Sequence, residues 1–310
     1  MMLSFYVFQL IKKYMKSSIN TSNKGSSISE KVSPHVQAFV VNALNLAMST
    51  FHRDLLSVYV FGGVAKGDYC KETSDVDLLF IVSDYCSEGT IEEFEKKMER
   101  LELENGILPT KYGLLFYAFA CRTAFFKSHF TVRSRNLVDL DYAAMFLEGK
   151  AFKLTFSKIL NKIMLPLCPS RLVIKNMLAE ARLFYGQDLI KGICFPQAME
   201  KEVVKVFIMS WFISIFGAIS SLFSKSSTRF SLEAMKWYIL NVYSVFHNKT
   251  TTVNSSLEFV TKVSIFSKSI ISKFAKLRTE CSYDLIFNIL LPFSLITAHS
   301  RLIHRLRQQT

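Results

Sequence analysis

Asp75 and Asp77 stand two residues apart at the head of the apolar run 78–82, and a Gly62-Gly63 pair closes another apolar run just upstream. In an extended strand, residues i and i+2 point to the same face, about 6–7 Å apart. Two carboxylates so placed form a site for hard divalent cations such as Mg²⁺, which take oxygen ligands. A glycine pair leaves backbone N–H groups open with no Cβ in the way, and such a nest favours phosphate. Metal-binding acids beside a phosphate cradle point to nucleotide chemistry.

The flanking residues supply the elements that must hold these groups. Runs 55–61 and 75–82 predict two strands joined by a polar loop. Ser33-Pro34 is a helix start, and Val36, Phe39, Val40, Ala43, Leu44, Leu46 and Ala47 give helical spacing over 35–54. An exposed helix is expected at 90–104, with the stripe Ile91, Phe94, Met98 and Leu101, ended by Asn105-Gly106. Strands at 113–121 and 128–133 and a helix at 139–148 complete a mixed sheet with helices. From about 170 the pattern becomes helical, with candidates at 170–190, 197–223, 231–246, 253–278 and 282–307. The expected organisation is an extension and Ser-rich linker at 1–32, an α/β domain at 33–160 and an all-α domain at 165–310.

The stretch 58–82, VYVFGGVAKGDYCKETSDVDLLFIV, resembles the signature of the nucleotidyltransferase superfamily related to DNA polymerase beta. That signature is a hydrophobic residue, Gly, then Gly or Ser, a polar spacer, and Asp-hydrophobic-Asp. Ala65-Lys66-Gly67-Asp68 is similar to the family's Ala-Arg-Gly-Asp stretch, and Ser74-Asp75-Val76-Asp77-Leu78-Leu79 to its Ser-Asp-hydrophobic-Asp-Leu run. The resemblance implies an α/β mixed-sheet core followed by a helical domain. It further implies catalytic, metal-binding roles for Asp75 and Asp77 with two Mg²⁺ ions. Gly62, Gly63, Lys66 and Ser74 would contact the nucleotide. ATP would be the donor by family prevalence, and a hydroxyl on a small molecule or a protein the acceptor. Asp68 and Glu72 are expected to face solvent.

One departure from the family pattern bears on catalysis. Active relatives carry a third carboxylate on a neighbouring strand, yet 113–121 and 128–133 contain no acid. Asp139 and Asp141 fall at a helix start, where N-capping is the commoner role of Asp, and Glu148 falls at a helix end. His129 is the remaining base candidate, against its reading as a structural histidine. The alternative is therefore a catalytically degenerate module that binds nucleotide or a partner. No Arg lies at the spacing from His247, His299 or His304 that a fused helical ribonuclease would require.

Among 310 residues, half are hydrophobic and a fifth charged, which excludes wholesale disorder. The net charge of +13 is compatible with nucleotide phosphates, a polyanion or an acidic membrane surface, but no aromatic-basic motif supports nucleic acid. Six scattered cysteines without a Cys-x-x-Cys pair indicate neither zinc nor disulfides and fit a reducing cytoplasm. The N-terminal run has its charges after the apolar stretch, the wrong order for a signal peptide. Residues 206–223 lack charge over a length that reaches a minimal membrane span. A buried bundle helix is favoured, because Ser231-Leu232-Glu233-Ala234-Met235-Lys236-Trp237 resembles a segment in the helical domain of aminoglycoside nucleotidyltransferases.

Overall fold

The computed structural model describes residues 33–69, 76–106, 129–137, 170–193, 200–280 and 282–307. Ser74, Asp75, the extension 1–32, and the elements expected at 113–121 and 139–148 lie outside these residues. Helix α1 (Pro34–Phe51) opens with proline in its first turn and buries Val36, Phe39, Val40, Ala43, Ala47 and Phe51 along one face. A short 3-10 turn (His52–Asp54) leads into β1 (Leu55–Phe61). The five-residue helix α2 (Gly62–Lys66) follows directly. Then come β2 (Asp77–Val82), α3 (Glu88–Glu104) and β3 (His129–Arg133). Helix α4 (Ser170–Glu180) and strand β4 (Arg182–Gly186) precede five helices: α5 (Glu200–Ser221), α6 (Thr228–His247), α7 (Val253–Lys262), α8 (Lys268–Glu280) and α9 (Leu285–Arg307).

The sheet order is β3-β2-β1-β4. Strand β1 pairs antiparallel with β2 and with β4, while β2 and β3 run parallel. The mixed α/β sheet with a following set of helices agrees with the expected fold class. After Asp77, every residue of β2 is buried, as a strand covered on both faces requires. Below the sheet, Val58, Val60, Leu78, Phe80 and Val82 pack with α1 and α3. Above it, Tyr59, Phe61, Leu79, Ile81, Phe130 and Val132 join the core of the C-terminal helices.

Four local expectations are corrected. The helix expected at 170–190 stops at Glu180, and residues 182–186 instead form β4. Leu183, Phe184 and Tyr185 suit a strand, and they satisfy the edge of β1. The strand ends where Gly186 has φ +85° and a Cβ would come within 2.0 Å of the Leu56 carbonyl oxygen. Strand β4 thus joins the sheet although it lies beyond the boundary expected near 160. The helix expected at 253–278 is two helices, because Ser264 takes a left-handed conformation (φ 49°) and the chain turns to bury Ile265 and Phe266. The stripe on α3 extends past the half-buried Leu101 to Glu102, since Glu102 reaches the buried His129. The Gly62-Gly63 bend begins a helical turn rather than a simple loop.

Helix α5 packs tightly on α6. At Gly217 a Cβ would lie 2.7 Å from Ser231 Oγ, so only glycine permits this approach. Ser214 and Ser221 donate to the carbonyls of Trp211 and Ala218, which satisfies their hydroxyls within the helix. Stretches 202–221 and 285–305 are long and apolar enough to cross a membrane, by length and composition only. Each buries one side in the helical core, α5 through Val206, Met209 and Ile213, and α9 through Phe287, Leu291, Leu295 and Ala298.

Candidate active site

Asp77 is the first residue of β2 and lies directly across from Phe61, the last of β1. Partners in an antiparallel ladder share a face, so Asp77 sits on the side of Tyr59, Phe61, Leu79 and Ile81, toward the C-terminal helices. The residue after Phe61 is Gly62, at φ +66°. A Cβ built there would lie 2.1 Å from Asp77 Oδ2 and 3.1 Å from Asp77 Cγ. The absence of a side chain at 62 is therefore what makes room for the Asp77 carboxylate, and the positive φ independently requires glycine. At Gly63 a Cβ would meet only ordinary contacts, at 3.5 Å or more, so a side chain fits there.

Helix α2 starts at Gly62. The first amides of a helix have no partners within it, and they carry the positive end of the local dipoles, which suits an anion. A carboxylate and a set of open amides thus meet at one end of the β1–β2 pair. This arrangement suits a cation bound to a polyphosphate: oxygen for the metal, N–H groups for the phosphate.

Lys66, singled out as a phosphate contact, ends α2 and places its ammonium 3.0 Å from Glu180 Oε1 at the end of α4. Both side chains are largely buried. Burial holds the Glu180 carboxyl above the ordinary glutamate range, offset in part by the charge of Lys66 and its hydrogen bond. Asp68, expected in solvent, is instead only 12% exposed and ion-paired with Arg278 of α8 at 3.0 Å. Burying a carboxylate requires such a partner, and the helices that supply it come from far along the chain.

The third carboxylate has a defined place to be sought. Across from Leu79 and Ile81, on Asp77's face, β3 presents Phe130 and Val132, and neither is acidic. His129 is fully buried and holds Glu102 Oε1 at 2.7 Å through Nδ1. It faces α3, with its ring edge-on to Phe94 at 6.4 Å between centroids, and so is structural. Among the described residues, no three His, Cys, Asp or Glu side chains gather as a metal site. The oxygen chemistry of Asp77 beside Gly62 nonetheless fits a divalent cation, with Asp75 as its sequence-assigned companion. Asp75 and Ser74 lie outside the described residues.

A polar group that the composition did not single out lies on the same sheet face. The Tyr59 hydroxyl accepts from the Leu189 amide at 2.7 Å and lies 3.1 Å from Asp188 Oδ1, to which it donates. Its pKa is pushed up to about 12, chiefly by burial. Asp188 lies two residues beyond the end of β4, after Gly186-Gln187. For Glu180 the residue type offered no signal, and Asp68 stood out only by its place in the Ala65-Lys66-Gly67-Asp68 stretch.

The nucleotidyltransferase domain family matches residues 42–137, which contain β1, α2, β2, α3 and β3. No curated protein sequence matches the chain. Among solved structures, spectinomycin adenyltransferase AAD(9) from Enterococcus faecialis, determined with ATP and spectinomycin, is similar at a TM-score of 0.52 and 8% identity. The likeness covers 85% of this chain and 99% of that one, so the shared fold extends through the C-terminal helices.

Proposed function

We propose that this chain, a member of the nucleotidyltransferase superfamily, transfers AMP from ATP to a hydroxyl group on a small molecule. The observation that carries the reading is the Asp77 carboxylate seated against the open backbone of Gly62. In the reaction, the acceptor oxygen attacks the α-phosphorus, a new P–O bond forms, and the bond to pyrophosphate breaks. The hydroxyl proton passes to a base. Little covalent work falls to the protein in such a transfer, so positioning and charge stabilisation dominate.

Asp77, with Asp75, would hold Mg²⁺, which supplies charge neutralisation at the triphosphate oxygens. Gly62 and Gly63 would offer amides to the phosphates, with Ser74 as a further nucleotide contact, whereas the ammonium of Lys66 is engaged by Glu180. The acceptor would lie between the sheet face that bears Asp77 and the helices of 165–310. The similar fold of a protein determined with ATP and spectinomycin supports ATP as donor and a small molecule, ahead of a protein, as acceptor. A cytoplasmic location is part of this reading, which involves neither nucleic acid nor membrane.

The test is transfer of labelled AMP from ATP to a panel of hydroxylated acceptors, including aminocyclitols. Asp75→Ala and Asp77→Ala are each expected to abolish transfer, a loss of roughly a thousandfold or more, with the unfolding midpoint retained. Full activity in either variant refutes the assignment. The absence of an acid from Phe130 and Val132 favours one other reading, a module that binds nucleotide without turnover. Calorimetric binding of ATP and Mg²⁺ with no pyrophosphate released by any acceptor would select it.

A further inference from the structure

We infer that Asp68 is a positioning residue that clasps the Gly62-Gly63 turn to helices α7 and α8. Both its carboxylate oxygens are engaged. Oδ2 accepts from the amide of Val253, the first residue of α7, at 3.0 Å. Oδ1 accepts from Arg278 Nη2 of α8 at 3.0 Å, and the same nitrogen donates to the Asp68 carbonyl at 3.2 Å. Arg278 is 14% exposed at its side chain, so the pair is largely removed from water.

The backbone of Asp68 closes the path to the cradle. Its amide donates to the Gly63 carbonyl at 2.8 Å, just after Gly67 ends α2 in the left-handed region (φ 72°). One residue therefore bonds to Gly63 through its amide and to two C-terminal helices through its side chain. A helix of five residues cannot hold itself together, since nucleation costs more than so few hydrogen bonds return. Its order must come from outside. Lys66–Glu180 supplies one tether to α4, and Asp68 supplies the tethers to α7 and α8. An anion at the first amide of α7 also meets the positive end of that helix dipole.

The consequence is a coupling between the two parts of the chain. Whatever shifts α7 and α8 changes the order of the cradle, and occupancy of the cradle stabilises their packing by the same factor. This consequence for ligand binding rests on the nucleotide reading above, whereas the clasp itself does not.

The test uses the full chain and begins without nucleotide, measuring amide hydrogen exchange over residues 62–69. Arg278→Met removes both hydrogen bonds from Nη2 to Asp68 and is expected to accelerate exchange there by about tenfold or more. Arg278→Lys keeps the charge but not the guanidinium's reach and planarity and should fall between, while segments from α1 and β1 stay unchanged. Asp68→Ala should exceed Arg278→Met; if it fails to fold, Arg278→Met, which spares the bond to Val253, decides alone. Unaltered exchange over 62–69 in Arg278→Met overturns the clasp. Titration with Mg²⁺ and ATP then reads its use. Affinity should weaken about tenfold in Arg278→Met and recover in part in Arg278→Lys, with KM for ATP rising more than kcat falls. Faster exchange with undiminished affinity overturns the positioning role. Failure of the unmodified chain to bind ATP refutes the nucleotide reading instead, and the exchange result still decides the clasp.

Discussion

The two faces of the sheet are built from the same two strands and behave as different materials. The face under α1 and α3 is apolar apart from the buried His129–Glu102 pair: Val58, Val60, Leu78, Phe80 and Val82 meet Phe39, Phe51, Phe94 and Met98. Rings Phe51 and Phe80 lie 4.5 and 4.8 Å from Phe94. The face toward the C-terminal helices mixes apolar residues with Tyr59, Ser57 and Asp77, and its hydroxyls are tied to Gln187, Asp188 and Leu189. Period-two alternation lets one strand serve both. The lower face supplies stability without chemistry, and the upper face holds a carboxylate that must stay accessible.

The comparison breaks first at Phe94. Phe94→Ala empties a fully buried position among three rings and should cost about 3–5 kcal/mol, measured by urea unfolding. Any AMP transfer by the remaining folded protein should keep its KM. A cost below about 1 kcal/mol would mean that the lower face is not the stabilising one.

Gly62→Ala should be next. A left-handed conformation costs a side-chain-bearing residue about 1–2 kcal/mol, and the Asp77 carboxylate must also move. Stability should fall by about that amount, while transfer should fall as far as in Asp77→Ala. Retained transfer would separate Gly62 from Asp77 and sink the shared site.

Tyr59→Phe tests whether the polar links of the upper face hold β4 in place. It leaves the Leu189 amide without its acceptor, at a cost of about 1–3 kcal/mol. Exchange should rise first at residues 187–190. An unchanged midpoint would show that apolar contacts alone anchor β4.

The smallest effect belongs to Glu180. Its pKa is raised in the folded chain, by burial first, so the folded state binds more protons than the unfolded state just above the ordinary glutamate range. Stability should therefore fall as pH rises through that window. Glu180→Gln should flatten this slope in unfolding midpoints taken from pH 4 to 7; an identical slope would assign the pH dependence elsewhere.

Much of the site was readable from residue types. The order glycine pair, polar loop, Asp-x-Asp requires only that two flanking runs pair as strands, and the register Phe61 opposite Asp77 supplies that pairing. Helices α1 and α3 were readable for the same local reason, a repeating apolar stripe, with a proline start for α1. The burial of Glu102 was not, because a glutamate one residue past a stripe looks solvated until His129 arrives beneath it.

The sequence by itself determined the first two strands, the helices that flank them, and which acid and glycines stand at the strand ends. Those choices depend on a few neighbouring residues. Only the tertiary structure decided that residues 182–186 become the fourth strand and that Asp68 is buried. Its partners lie 185 and 210 positions away. A carboxylate in a polar loop is stable in water or against a guanidinium, and which applies depends on what packs beside it.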